Sequence, residues 1–431
     1  MKKLLAVLLA LVMLVSLAAC AGNTDKDNPS SDAPANSDNP SMKANVNKKI
    51  AMIMQQGGLG DQGFNDTAYA GLMTCKEKYD LDVNAVECTD TTQGETLIRE
   101  LCEAGYGLII NLEAGISGNM YTVARDYPDI YFVVVGRQLR INAVDGFTET
   151  PKNVIESYIT LNEHSFLAGV VAAFAATDGN TLVEGVGQHE GCNIGILFGA
   201  ESVGFYQYGD GFRQGALFYN PDAKVYIDYT VGFSDTANAQ SIAQNMINNM
   251  GCDVIWTCCG TAGLGGLEAC RLNNAFGIGV DSNQDEVEPG NILTSAIRDN
   301  TSLLEFYIGK YLEGNIEQTE PDTFNLSNGG VDITDMSVIE QYVTDKDILS
   351  ADLSIAADIL AQREVVEVEG QIDEILLGGV FQLGDADKEL IVFVVVEALH
   401  PPGEVVQLVQ IGEAVFQHGE FLRPIDLCHE C

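Results

Sequence analysis

Length and charge set the first limits on this chain. It has 431 residues, and its 62 acidic side chains outnumber 22 basic ones, which gives a formal net charge of −40. Such a surface repels phosphate backbones, so we expect no nucleic-acid partner. The length suffices for two domains, each with a hydrophobic core of its own.

The first twenty residues have the pattern of a bacterial export signal. Two lysines precede an apolar run from Leu4 to Leu17, which is shorter than the ~20 residues of a membrane-spanning helix. The run ends in Leu17-Ala18-Ala19-Cys20, which resembles the lipobox of bacterial lipoproteins. We expect residues 1–20 to be a lipoprotein signal peptide and Cys20 to carry the lipid. The alternative is an ordinary signal peptide with a chance cysteine.

A polar segment follows the signal. Residues 21–46 consist mainly of Asn, Ser, Asp, Pro and Lys. Burial of so few apolar side chains cannot offset the entropy of ordering the segment, so we expect a disordered tether. Together with Cys20 it predicts a protein held at the extracytoplasmic face of the cell membrane by its lipid alone.

The next part of the chain alternates short apolar runs with longer amphipathic ones. This alternation predicts parallel strands connected by helices. The expected strands are 50–54, 108–112, 131–135, 193–198, 225–229, 253–257 and 278–280, and the expected helices are 64–79, 120–127, 165–176, 204–218 and 237–250. A loss of periodicity between 140 and 154 divides them into two sets. We therefore expect an α/β fold with two doubly wound parallel-sheet domains facing each other across a cleft.

Ligands of such sheets bind at the carboxyl ends of the strands. The first loop of this kind runs from Gln55 to Asn65 and is rich in glycine, with Phe64 and Asn65 at the start of the following helix. It lacks the Lys-Ser/Thr pair of a phosphate-binding loop. The alternative is a helix cap, in which Asn65 or Asp61 accepts hydrogen bonds from free backbone N–H groups.

Four further candidates follow strands in the second half. Phe233 lies in Gly232-Phe233-Ser234-Asp235, and Gly260 opens a second glycine-rich loop. One strand ends in the carboxylate of Asp281 and another in the guanidinium of Arg298. Each has an alternative structural reading, core packing for the aromatic rings and a helix cap for Asp281. Their joint position at strand ends favours a binding site.

Several motifs resemble those of one known family, in order and at similar intervals from about residue 48 to 315. They are Ile50-Ala51-Met52-Ile53, Gly57-Gly58, Asp61-x-x-Phe64-Asn65, Ala68-Tyr69-x-Gly71-Leu72, Phe166-Leu167-Ala168-Gly169, Ala172-Ala173, Gly211-Phe212-x-x-Gly215-Ala216, Asn220-Pro221, Gly232-Phe233-Ser234-Asp235, Gly260-x-x-Gly263-x-Gly265, Ile278-Gly279-Val280-Asp281-x-x-Gln284 and Thr294-Ser295. This pattern resembles the basic membrane protein family, nucleoside-binding lipoproteins related to the purine-nucleoside receptor of spirochaetes. The resemblance implies a substrate-binding protein that captures a nucleoside and delivers it to the permease and ATPase of an ABC transporter.

The resemblance also implies a type I periplasmic binding protein fold with a hinge between two lobes. We expect an N-terminal lobe from 47–140 and 283–320 and a C-terminal lobe from 153–282 and 325–364. The protein is expected to be a monomer. A sugar or sugar-like ligand is the first alternative to a nucleoside, and a surface sensor without a transporter is the second.

In the site implied by the resemblance, Phe64 and Phe233 clamp the flat base from opposite lobes. Asn65 meets a base edge, Asp281 accepts hydrogen bonds from the ribose hydroxyls, and Arg298 orients Asp281 or donates to the sugar. The backbone of Gly260 lies close to the ribose. Asp61, which lies in the loop from Gln55 to Asn65, is a further ligand-binding candidate. Glu113, at another strand end, is included as a contributor.

Two residues depart from the family pattern. Gln55 stands where the family usually has Asp, and Arg298 stands where it usually has Lys. An amide presents both a donor and an acceptor, whereas a carboxylate only accepts. Arg keeps the charge of Lys but changes its reach and geometry. The identity of the base therefore stays open.

Catalysis is not expected. Among the strand-end candidates no nucleophile stands beside a base in a familiar pattern, and we predict neither a cofactor nor a metal. The cysteines after Cys20 lie mostly in apolar runs, which favours buried free thiols over disulfides. Residues 365–431 match nothing in the family and are left unassigned, although the run 390–396 is suited to a strand.

Overall fold

The computed structural model describes residues 45–136, 149–178, 182–318 and 320–344, together with four strands between 375 and 421. Cys20, the tether up to residue 44 and most of the unassigned tail lie outside them. Among the residues that the structure describes, no helix has the length and apolar character needed to cross a membrane.

The first sheet has six strands, all parallel to their neighbours. In spatial order they are β11 (Asp322–Phe324), β5 (Val154–Ile159), β4 (Tyr131–Val134), β3 (Leu108–Asn111), β1 (Lys49–Met54) and β2 (Asp82–Glu87). The α-helices of this lobe are α1 (Phe64–Tyr79), α2 (Gly94–Glu103), α3 (Ser117–Ala124) and α8 (Asn300–Glu313). The central strands β1, β3 and β4 are mostly apolar because both faces of the sheet are covered.

The second sheet repeats this arrangement. Its strands are, in spatial order, β12 (Val331–Ile333), β10 (Ile292–Arg298), β9 (Phe276–Asp281), β8 (Val254–Cys258), β6 (Asn193–Phe198) and β7 (Lys224–Asp228). Only β12 runs antiparallel to its neighbour. The helices are α4 (Leu161–Asp178), α5 (Val203–Tyr219), α6 (Thr236–Met250) and α7 (Thr261–Leu272).

The chain passes between the two lobes three times, after β5, after β10 and after β11. Two parallel-sheet α/β lobes joined in this way form the type I periplasmic binding protein fold, so the predicted fold class is confirmed. The carboxyl ends of β1 and β3 face those of β8 and β9 across the lobe boundary.

The strand order differs from the expected lobe boundaries in two places. β5 was assigned to the second lobe but pairs with β4 in the first sheet. β10 was assigned to the first lobe but pairs with β9 in the second sheet. The reason is that the break in periodicity before residue 154 falls between β4 and β5, which are neighbours in one sheet. The crossings between the lobes are short connections that leave no mark on composition.

Two contacts show how closely the helices pack. A Cβ atom at Gly215 of α5 would lie 1.9 Å from the carbonyl oxygen of Phe166 on α4, and one at Gly169 would lie 2.1 Å from that of Phe212. Only glycine allows the two backbones to approach so closely. The buried α4 therefore fixes α5, whose first turn faces the lobe boundary.

Seven cysteines of the described residues carry buried free thiols, as predicted. They are Cys75, Cys88, Cys102, Cys252, Cys258, Cys259 and Cys270. Burial raises the pKa of each thiol, to about 12 for Cys75 and Cys102, so these groups stay protonated and pack as small apolar side chains.

The tail strands form a separate antiparallel sheet. Its strands are β13 (Ile375–Asp385), β14 (Lys388–Glu397), β15 (Ile411–Gln417) and β16 (Glu420–Phe421). β14 contains the run 390–396 that suits a strand.

Candidate functional site

A cleft of about 280 Å³ lies between the two lobes. Seven of the nine residues predicted for the site line it: Gln55, Phe64 and Glu113 from the first lobe, and Phe233, Gly260, Asp281 and Arg298 from the second. The strand-end rule therefore brings together side chains that are up to 243 positions apart in sequence, from Gln55 to Arg298.

The other two predicted residues do not line the cleft. Asp61 is buried, and its carboxylate accepts hydrogen bonds from the backbone N–H groups of Gly63 and Asn65, each at 2.9 Å. Burial raises the pKa of Asp61, while these hydrogen bonds lower it. Asp61 therefore stabilises the start of α1, which is the alternative that the sequence left open.

The side chain of Asn65 holds the backbone of Gln55. Its Oδ1 accepts a hydrogen bond from the Gln55 N–H at 3.0 Å, and its Nδ2 lies 3.4 Å from the Gln55 carbonyl oxygen. Both ends of the amide are thus engaged at the end of β1. Asn65 therefore orients Gln55, which lines the cleft.

Glu113 forms part of the cleft wall but its carboxylate is already engaged. Oε2 accepts a hydrogen bond from the N–H of Gln56 at 3.1 Å, and Oε1 accepts one from the N–H of Gly115 at 2.9 Å. Glu113 therefore joins the loop after β1 to the turn after β3. Its main effect is to fix the shape of the first lobe's wall.

Phe64 and Phe233 approach the cleft from opposite lobes. Phe64 is only 7% exposed and begins α1. Phe233 packs beside Phe205, with ring centres 6.1 Å apart and ring planes 30° from parallel. A Cβ atom at Gly57 would lie 3.2 Å from the Phe233 carbonyl oxygen, so the two lobes are in close contact here. Each wall of the cleft therefore contributes one aromatic ring.

A charged cluster lies on the second lobe's side of the cleft. Burial raises the pKa of Asp281 to about 6, and the nearby charge of Arg298 opposes that rise. The buried Tyr208 hydroxyl hydrogen-bonds to Asp281 and to Arg298. Within the described residues, Asp281 Oδ1 and Arg298 Nε are buried and lack a hydrogen-bond partner. One unused acceptor and one unused donor in the lining of the same cleft suit the hydroxyl groups of a ligand.

Gly260 brings backbone rather than a side chain to the cleft. Its φ of +56° lies in the left-handed region, and a Cβ atom would lie 3.1 Å from the Phe233 carbonyl oxygen. Glycine is therefore required to bring the start of α7 close to Phe233.

Sequence reasoning missed part of the cleft. Thr91, Ser202, Phe205 and Tyr208 also line it. Ser202 caps α5, accepting a hydrogen bond from the Phe205 N–H. The available signal was that α5 follows β6, which makes its first turn a strand-end position. Phe205 and Tyr208 were read as part of an amphipathic helix, where aromatic spacing usually indicates core packing.

Comparison with known proteins agrees with this geometry. The family model described as "ABC transporter substrate-binding protein PnrA-like" matches residues 48–362. The "ABC transporter nucleoside-binding protein BmpA" of Lactococcus lactis subsp. cremoris (strain MG1363) is 27% identical over 343 residues, which is 75% of this chain and 89% of that protein. "Basic membrane protein D" of Borreliella burgdorferi (strain JD1) is 28% identical over 272 residues, which is 62% of this chain and 72% of that protein.

Solved structures show the same fold. A solute-binding protein of an ABC transporter system from Aeropyrum pernix K1 has a TM-score of 0.63 and 20% identity, covering 75% of this chain and 94% of its own. A second solute-binding protein, from Conexibacter woesei DSM 14684, has a TM-score of 0.53 and 22% identity, and the match covers 74% of this chain and 98% of that protein. The two solved structures show the fold, and the family match shows the substrate-binding role. The chain therefore belongs to the family of PnrA-like ABC transporter substrate-binding proteins.

Proposed function

We propose that this protein captures a nucleoside at the extracytoplasmic face of the cell membrane and delivers it to an ABC transporter, that is, to its permease and ATPase. One observation carries the proposal. Phe64 and Phe233, from different lobes, share one cleft with the carboxylate of Asp281 and the guanidinium of Arg298. The name of the Lactococcus relative, a nucleoside-binding protein, supports the same ligand class.

The parts of a nucleoside match the parts of the cleft. The base is flat and stacks between two rings, each stack contributing about 1–3 kcal/mol. The ribose hydroxyls donate to the free oxygen of Asp281, and Arg298 donates to a ribose oxygen. A volume of about 280 Å³ is close to the lower limit of ~300 Å³ for small-molecule sites. The cleft therefore suits a compact ligand that carries both an aromatic ring and a diol.

Delivery requires the transporter to distinguish loaded from empty receptor. A ligand that contacts both lobes stabilises their closed arrangement, and that arrangement is the signal. Attachment through Cys20, followed by the tether at 21–46, keeps the folded part near the permease. The receptor acts as a monomer, with the lipid as its one attachment to the membrane.

Calorimetric titration with adenosine, guanosine, inosine, cytidine, uridine and free ribose tests the ligand. We expect binding of at least one nucleoside and none of ribose alone, because ribose lacks the ring that stacks. Binding of sugars but of no nucleoside would overturn the ligand class. Native mass spectrometry of freshly purified protein gives an independent check, since a tightly held nucleoside remains bound and adds its mass.

A separate experiment tests the anchor. The Cys20→Ser variant is expected to leave the membrane fraction and to lose incorporation of a labelled fatty acid. Wild type should retain both. Membrane association and labelling of the variant at the wild-type level would show that the cysteine at this position is not lipidated.

A further inference from the structure

One backbone carbonyl of the first lobe accepts two hydrogen bonds from the second lobe. The carbonyl oxygen of Gln62 accepts from the hydroxyl of Ser282 and from the side-chain amide of Gln284, the latter at 3.0 Å. Gln62 lies in the loop before α1, and the two donors follow β9. The contact therefore spans the lobe boundary at the edge of the cleft.

The first-lobe side of this contact is held in an unusual conformation. Gln62 has a φ of +48°, a left-handed value that non-glycine residues seldom adopt. Its N–H donates to Asp66 Oδ2 at 2.9 Å, and the N–H of Gly60 donates to Asp66 Oδ1 at the same distance. The next residue, Gly63, donates to Asp61. These bonds hold the loop so that the Gln62 carbonyl faces the other lobe.

The second-lobe side is equally constrained. Gln284 is 3% exposed, and its Oε1 accepts a hydrogen bond from the Val280 N–H at 2.9 Å. Its own N–H donates to Ser295 Oγ at 3.0 Å, and Ser295 donates to Asp285 at 2.6 Å. Contacts within its own lobe thus help to direct the Nε2 of Gln284 at Gln62.

Asp281 links this contact to the cleft. The N–H of Ser282 donates to the Val280 carbonyl at 2.8 Å, and Asp281 between them has a φ of +65°. This is a γ-turn with positive φ at its centre, a rare and strained form. Such strain persists only where the surroundings over-determine it, and here Gln284 holds Val280 while Gln62 holds Ser282. The turn brings the Asp281 carboxylate into the cleft.

We propose that Gln62, Ser282 and Gln284 form an interlobe latch that stabilises the closed arrangement of the lobes and positions Asp281 for the ligand. Gln62, Ser282 and Gln284 are positioning residues and none of them lines the cleft. The effect of the latch on nucleoside affinity rests on the proposed function, whereas its effect on the closed arrangement of the lobes does not.

The double variant Ser282→Ala, Gln284→Glu tests the latch. Glu has the shape of Gln and keeps the acceptor for Val280, but it has no donor for Gln62. Small-angle X-ray scattering of the unliganded protein should show a larger radius of gyration than wild type. The affinity for whichever nucleoside binds wild type should fall about tenfold or more, since two interlobe hydrogen bonds are lost. Ser282→Ala alone should give a smaller change in the same direction and Ser282→Thr should restore wild-type behaviour.

Two controls separate the latch from general damage. Ser337→Ala removes a serine hydroxyl that bonds to Asp335 within the second lobe, and it should leave scattering and affinity unchanged. Asp281→Asn should weaken binding without opening the lobes, because the latch is intact. Scattering curves of Ser282→Ala and of the double variant that superimpose on wild type would overturn the latch, whatever the ligand. Failure of every nucleoside to bind wild type would overturn only the proposed function.

Discussion

The guanidinium carbon of Arg298 lies 4.5 Å from the centre of the Phe64 ring. Arg298 ends β10 of the second lobe and Phe64 begins α1 of the first, so this cation–π contact joins the two walls of the cleft. The same arginine faces Asp281 and moderates its pKa. One side chain thus supports both the aromatic and the polar part of the site.

Replacing Arg298 should therefore affect binding more than its single charge suggests. The Arg298→Gln variant loses the cation–π contact with the Phe64 ring. The pKa of Asp281 rises further, because the positive charge that opposed the rise is gone. We expect nucleoside affinity to fall about 10- to 100-fold, the equivalent of about 1.4–2.8 kcal/mol, measured by calorimetry at pH 7.5. Arg99→Gln is the matched control, since Arg99 pairs with Glu95 and Asp126 on the surface of the first lobe. An Arg298→Gln affinity equal to that of the control would contradict this role.

The two clamp rings should differ when each is truncated. Phe233→Ala should reduce nucleoside affinity about 10- to 100-fold, with little effect on the unfolding temperature, because Phe233 is only partly buried. Phe64→Ala should reduce affinity and also destabilise the fold by about 3 kcal/mol, since Phe64 belongs to the core. Phe306, which is 41% exposed on α8, gives the control Phe306→Ala. If Phe233→Ala bound as tightly as that control, the clamp would be excluded.

Binding should weaken in acid because of Asp281. Burial raises its pKa to about 6 from 3.8, so the unliganded folded protein takes up a proton between about pH 6 and 4 that the unfolded chain does not. Protonation thus adds to the stability of the empty protein as the pH falls, and this contribution is lost as the pH rises through 6. Ribose hydroxyls need the charged carboxylate, so affinity should drop by up to about tenfold per pH unit below 6. Asp281→Asn should bind weakly with a flat pH profile, and a flat profile in wild type would refute the assignment.

Gln55 should decide which base edge is preferred. Its amide offers a donor and an acceptor side by side, which fits the amino group and adjacent ring nitrogen of adenine. Gln55→Glu offers acceptors alone, which fits the two neighbouring donors of guanine. We expect the ratio of guanosine to adenosine affinity to rise at least about tenfold in this variant. Gln93→Glu, at an exposed position of the first lobe that does not line the cleft, is the control for added charge. An unchanged ratio in Gln55→Glu would show that Gln55 does not contact the base.

Local sequence patterns predicted the elements better than the way they assemble. The helix 64–79 and the strand 193–198 were placed at the bounds that the structure shows, since Gly63 precedes the helix and Gly199 follows the strand. β2 was missed because it is an edge strand whose residues are exposed or half-buried, leaving no apolar run to detect. The lobe assignments of β5 and β10 failed for another reason. Strand pairing is non-local, and periodicity does not show which sheet a strand joins.

For the site, the strand-end rule placed seven of the nine predicted residues correctly in the cleft lining. It could not separate Asp61 and Asn65 from true cleft residues, because a carboxylate or amide at a helix start suits a cap and a ligand equally well. It also missed Tyr208, which touches the charged cluster from the middle of a helix. The latch was beyond sequence reasoning, because it depends on the backbone conformation of Gln62 and Asp281.

His164 should make the protein sensitive to acid, independently of any ligand. It is fully buried, with its ring perpendicular to that of Tyr208 at a centroid distance of 5.2 Å. Neither ring nitrogen has a well-formed hydrogen bond among the described residues, although the backbone of Thr160 favours the charged form. Burial, and secondarily the charge of Arg298, lowers the pKa of His164 to about 3.

The consequence for stability follows from where the proton binds. Below pH 6.5 the unfolded chain protonates His164 and the folded protein does not, so the free energy of unfolding falls as the pH falls towards 3. His164→Phe removes this uptake and keeps an aromatic ring against Tyr208. Relative to wild type, the variant should gain up to about 1.4 kcal/mol per pH unit between pH 6 and 4, measured by urea unfolding at several pH values. Above pH 7 the plots of unfolding free energy against pH should run parallel for the two proteins, because any change in stability from repacking the ring does not depend on pH. Parallel curves down to pH 4 would mean that the imidazole is protonated equally in the folded and unfolded states, and that its buried position has no part in acid sensitivity.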